Sequence, residues 1–173
     1  MRYDEIMMQP LLESTMPMTQ ELTPSDDTFT TLLAQRTDQL AAPFEALAGW
    51  DERYQHLIAL GKAHPAIDAS LQVDKYKVQG CQSQVWLHAH LNDAGLMVYQ
   101  ADSDALIVRG LVALLMAFYN ELPPKVVMKA EPTLLNRLGL TENLSMQRNN
   151  GLAAMIKQIK LYAMALHLKS QQA

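Results

Sequence analysis

The run Gln84-Val85-Trp86-Leu87-His88-Ala89-His90-Leu91-Asn92-Asp93-Ala94-Gly95-Leu96-Met97-Val98-Tyr99-Gln100-Ala101 alternates, turns and comes back. Val85, Leu87, Ala89 and Leu91 share one face, and Gln84, Trp86, His88 and His90 the other, which is the period of a strand. Asn92-Asp93-Ala94-Gly95 is a hairpin turn, so Leu96 to Ala101 is the returning strand. Just upstream, Tyr76-Lys77-Val78-Gln79 reads as a further short strand, and Gly80 to Ser83 turn the chain. Just downstream, Asp102-Ser103-Asp104 is placed to cap a helix from about Ala105 to Glu121. That helix is apolar nearly all round, from Leu106, Ile107 and Val108 to Met116 and Phe118, as the buried centre of a domain is. The class is α+β: a small antiparallel β-sheet packed against helices.

The flanks are helical. Phe29, Leu32, Leu33, Arg36 and Leu40 follow a helical period, with Ser25, Asp26 and Asp27 as cap and early-turn acids. Pro43 is expected to break that helix near Ala42. A second begins after Gly49, with Trp50, Tyr54, Leu57 and Ile58 at i, i+4, i+7 and i+8 and with Asp51 and Glu52 suiting the dipole of its first turn. Gly61 and Pro65 mark its end. Leu71 to Lys75 fits neither period. Pro123-Pro124 stops the central helix, and short helices are expected at Lys125–Lys129 and Thr133–Leu138, the latter stopped by Gly139. A last helix is expected after an Asn149-Asn150 turn, with Leu152, Met155, Ile156, Ile159, Ala163 and Leu166 inward. Residues 1 to about 25 read as a flexible N-terminal tail, with prolines at 10, 17 and 24 and no sustained apolar period. Residues 26–173 read as a single domain.

Composition narrows the function. The chain has 173 residues, is 49% apolar and 18% charged, and carries a net charge of −4. That is a globular profile, and the acidic balance argues against a nucleic-acid partner. The longest apolar run, Leu111 to Tyr119, is too short for a membrane helix. One cysteine excludes a disulfide framework, and no secretory signal opens the chain, so a cytoplasmic location is expected.

That cysteine is Cys81. Gly80 before it permits a tight turn, and Gln79, Gln82, Ser83 and Gln84 around it are neutral and polar, unlike the apolar neighbours of a buried structural cysteine. Such a sulfur is either inert at a strand end or presented for chemistry. His88 and His90 on one strand face are two metal ligands without a third, so an ordinary polar face is favoured. Asp102 and Asp104 are better read as caps than as a catalytic pair. Arg148 is either solvated or a contact for an anion or partner. No histidine stands in a recognisable hydrolase signature around the thiol.

Gly80-Cys81-Gln82-Ser83-Gln84-Val85-Trp86 resembles the cysteine-loop motif of the SufE family of sulfur acceptors. Trp50-Asp51-Glu52-Arg53-Tyr54 with Leu60-Gly61 resembles the family's early helix, and Asp102-Ser103-Asp104 with Ile107-Val108-Arg109-Gly110-Leu111 its central helix start. Arg148 with Gly151-Leu152 and Met155-Ile156 resembles its C-terminal helix. The markers stand in family order and span roughly Gln39 to Leu168. Ala101 in place of the usual Gly, Asn149-Asn150 in place of Ser-Gln and the N-terminal extension are departures.

The resemblance implies a SufE/IscU-like fold and an accessory role rather than a stand-alone enzyme. A SufS-like cysteine desulfurase, using pyridoxal phosphate, would make a persulfide. Cys81 would accept its sulfur and pass it toward a SufBCD-like iron–sulfur scaffold complex. Gly80, Gln82 and Ser83 would support the loop, and Gln79, Gln84 and Arg148 would face the partner. The chain would need no cofactor or metal of its own, and a homodimer is left open. The Gln82-Ser83-Gln84 loop favours the SufE form over the paralogous CsdE type, which serves a different desulfurase. An iron–sulfur scaffold is the alternative from the metal-binding class, but it wants several thiolates where this chain has one.

Overall fold

The computed structural model describes residues 25–172, so the expected N-terminal tail lies outside the described residues save for Ser25. The elements run α1 (Asp26–Glu45), α2 (Trp50–Ala63), two 3-10 turns (Ala69–Leu71, Asp74–Tyr76), β1 (Val85–Leu91) and β2 (Met97–Ser103). They continue with α3 (Leu106–Tyr119), α4 (Pro124–Lys129), α5 (Leu134–Arg137), α6 (Leu140–Asn143) and α7 (Met146–Gln171). The class is α+β as expected. Among the described residues no helix is long and apolar enough to cross a membrane.

β1 and β2 form an antiparallel pair with Val85 opposite Ser103 and Leu91 opposite Met97. The turn holds because Asn92 Oδ1 accepts the N–H groups of Ala94 and Leu96 at 3.0 and 2.9 Å. Gly95 sits at φ 74°, where other residues are strained. Val85, Leu87 and Ala89 of β1 and Met97, Tyr99 and Ala101 of β2 are buried. They face α3 and α7, and the tyrosine hydroxyls anchor the layers. Tyr99 donates to Ile159 O at 2.7 Å, and Tyr162 donates to Leu87 O at 3.1 Å. The free edge of β2 is covered as well. Asn120 Oδ1 accepts from Tyr99 N at 2.6 Å and its amide donates to Tyr99 O at 3.2 Å, so one side chain stands in for a third strand.

α3 is the centre of the core, with ten of its residues buried from Ile107 to Tyr119. It crosses α2 at almost no distance. A Cβ on Gly61 would lie 2.4 Å from Leu106 O, and one on Gly110 would lie 2.1 Å from Leu57 O. Only two glycines facing each other allow this approach.

Several local expectations are corrected. α1 runs through Pro43 to Glu45; the proline lacks the N–H that would bond Gln39 O, and the helix ends within two residues of it. Gly61 does not end α2 but serves the crossing inside it. Tyr76 to Gln79 is no strand; only Lys77 bridges to Trp86. Asp102 and Ser103 finish β2 rather than capping α3, whose N-cap, Ala105, makes no side-chain cap bond. Asp102 is buried and stands 2.8 Å from Arg109 Nε, though that N–H does not point at it. Asn149-Asn150 is not a turn, because α7 begins earlier, capped by the Ser145 hydroxyl accepting from Arg148 N. α6 was not anticipated.

Candidate functional site

Gln79 to Ser83 arch between two anchors. At one foot, Val78 N donates to Val85 O at 2.8 Å. At the other, Gln84 N donates to Asp104 Oδ1 at 3.0 Å, while Gln84 O accepts from Ser103 Oγ at 2.8 Å and Asp104 N at 3.2 Å. The sequence that ends β2 therefore fastens the loop. Gly80 takes φ 90°, as its place at the turn requires.

The arch lies against α7 at Gly151. Cys81 is half-buried, and its Sγ–H donates to Gly151 O at 3.5 Å. A Cβ on Gly151 would stand 3.4 Å from the sulfur. The thiol opens onto a cleft of about 360 Å³ between the start of α3 and the start of α7. Its apolar wall is Ile107, Val108, Leu111, Leu152 and Met155, and its polar rim is Gln82, Ser83, Ser145, Gln147 and Arg148. Arg148 is the only charged residue lining it among the described residues, and is itself exposed. Lys75 and Lys77, the cations nearest in sequence, do not line the cleft.

The cleft thus gathers Cys81, Gln82, Ser83 and Arg148 from two distant stretches. Gln79 and Gln84 are exposed on the arch but outside the cleft, and Gly80 shapes the turn alone. Sequence reading names Gly151, Met155 and the residues of the α3 wall as helix residues but does not assign them to the site. Gly151 carried a signal: glycine within a helix is unfavourable unless something approaches closely. His88 and His90 lie elsewhere, on the outer sheet face with ring centroids 5.8 Å apart, and no third ligand joins them among the described residues.

Burial pushes the Cys81 thiol above its ordinary value. The folded state therefore favours the neutral thiol. That preference is full below the unfolded thiol's pKa and is lost as pH rises through the folded one. Alkylation of the native protein is expected to keep rising with pH where the unfolded chain has levelled off. Iodoacetamide rates with and without urea would check it; a native midpoint at or below the unfolded one would contradict the burial. Gly151→Ala places a methyl at contact distance, 3.4 Å, from the sulfur, and the site is expected to accommodate it. The thermal midpoint should stay at or slightly above wild type, since alanine is the better helix former, and the alkylation rate near wild type. Alkylation several-fold faster would show that the methyl pushes the sulfur off α7.

Comparison with known proteins gives the chain a family. The profile of the SufE family, described as an Fe-S metabolism associated domain, matches residues 38–163. An uncharacterized SufE-like protein of Rhizobium etli is 41% identical over 127 residues, covering 71% of this chain and 86% of the relative. One of Rhizobium meliloti is 39% identical over 127 residues, covering 71% and 91%. In fold, the chain is similar to a hypothetical protein from Thermus thermophilus known by a solution structure. The TM-score is 0.63 at 20% identity, over 77% of this chain and 96% of that one. With the family match extending over most of the sequence, this chain belongs to the SufE family and is a protein of iron–sulfur metabolism.

Proposed function

We propose that Cys81 accepts sulfur from the persulfide of a cysteine desulfurase, activating that enzyme, and carries the sulfur toward iron–sulfur cluster assembly. The supporting observation is the placement of the chain's one cysteine. It stands on a pinned arch, half-buried, at a cleft with an apolar wall. An inert core thiol needs neither arch nor cleft.

The exchange is a displacement at sulfur. The Cys81 thiolate attacks the outer sulfur of the donor's Cys–S–SH group. A new S–S bond forms at Cys81, the donor's S–S bond breaks, and the donor cysteine leaves as a thiolate. The transferred sulfur keeps its proton, and no net oxidation occurs. In the free protein the thiol is protonated and shielded, so the donor must arrive before attack becomes efficient. The apolar wall gives the sulfur few polar neighbours on that side, and Gln82 and Ser83 offer neutral hydrogen bonds at the rim. A SufS-like desulfurase is the proposed donor and a SufBCD-like complex the proposed acceptor. The accepting thiol stays free in a reducing compartment, and the cytoplasm is the proposed one.

Intact mass after mixing with a desulfurase and L-cysteine tests the reading. The gain of one sulfur atom, removed by a thiol reductant, is expected. Bound iron, or no sulfur despite active desulfurase, would overturn it. Arg148→Ala should stimulate the desulfurase several-fold less, because it removes the cleft's one charge at the rim. Its thermal midpoint should stay near wild type, since the side chain is exposed. A large loss of stability with full stimulation would make Arg148 a structural residue instead.

A further inference from the structure

α7 carries an outward apolar stripe that no described element covers. Leu161, Met164 and Leu168 are 41%, 46% and 57% exposed, and their spacing of i, i+3 and i+7 puts them on one face. Lys157 continues the same face one turn earlier. Contiguous apolar surface of this kind is uncommon unless something lies on it. The charge on this face says what. α7 has no acid, and Lys157 is the cation of the stripe, Lys160 being paired with Glu131 and Arg148 standing at the Cys81 cleft. A second copy packed through α7 would bring no acid of that helix to meet Lys157.

We propose that the stripe is the docking face of the chain's own N-terminal segment, residues 1–24. The segment is complementary in both respects. Its acids Asp4, Glu5, Glu13 and Glu21 outnumber its one basic residue, Arg2, and Ile6, Met7, Met8, Leu11 and Leu12 supply apolar contacts. It has too little apolar surface to form a core, but the stripe provides the other half. The reach suffices: 24 residues extend up to about 80 Å, against roughly 39 Å for the whole of α7. The starting point is favourable too. Asp26 pairs with Lys129 of α4 at 3.7 Å, and α4 packs on α7.

A photo-crosslinking phenylalanine analogue in place of Leu168, in the full chain, tests this. The position is exposed, so folding is undisturbed. Irradiation is expected to give a product of monomer mass whose peptide joins position 168 to residues 1–24. Adding Lys157→Glu should lower its yield several-fold. A product of dimer mass, a crosslink to another part of the chain, or none at all would overturn the proposal. A yield unchanged by Lys157→Glu would overturn it equally.

Discussion

Cys81→Ser is expected to fold like the wild type and to lose sulfur acceptance completely. Oxygen replaces sulfur on an exposed arch, and a hydroxyl can still donate to Gly151 O where the thiol now does. The anchors at Val78, Gln84, Ser103 and Asp104 do not involve the side chain. A serine hydroxyl is not ionised near neutral pH and cannot hold a persulfide, so no other group of the chain can take over. Thermal melts should superimpose, the mass should gain no sulfur, and stimulation of the desulfurase should fall to background. Full stimulation by the variant would mean that the protein activates its partner by contact alone, and the relay would be lost.

The second large effect is expected far from the sulfur. In Gly110→Ala the new Cβ would meet Leu57 O at 2.1 Å and Leu57 C at 2.9 Å. Both are backbone atoms, so no side chain can rotate away. α2 and α3 would have to separate, opening the core around Leu57 and Leu111. A cost of about 3 kcal/mol or more follows from overpacking of this kind. For a chain of this size that is a fall of roughly 10 °C in thermal midpoint. Calorimetry would measure it. A midpoint within experimental scatter of wild type would show that the two helices slide apart freely, contrary to the close crossing.

The sheet and central helix were readable because their residues obey one period at a time. Val85 to Leu91 alternates, Trp86 being the one apolar residue on the outer face, and α3 is apolar nearly all round, Arg109 apart. What escaped depended on contacts between distant segments. Gly61 and Gly110 each look like a stop or a weak spot until they are seen facing each other. Asp102-Ser103-Asp104 has the composition of a helix cap, yet tertiary bonds draw its members to Arg109 and Gln84 instead. Tyr76 to Gln79 has strand-like residues but finds only one bridging partner, at Trp86. The turn that holds Cys81 was legible from its glycine and polar neighbours. The wall it faces was not, since Ile107, Val108 and Met155 read as plain core residues.

The fastened feet of the Cys81 arch set a leash. Val78 and Gln84 are held by hydrogen bonds, and the cysteine is three residues from each. Three residues drawn out straight span about 10 Å. Even fully extended, then, the Cys81 backbone cannot stand farther than that from the rim of β1 unless an anchor lets go, and the sulfur gains only the length of its side chain beyond it. A donor whose persulfide lies much deeper than about 10 Å below its own surface would be out of range. One whose persulfide rides on a projecting segment would meet this protein partway. The geometry of the arch therefore restricts which partners can complete the handover before any question of affinity arises.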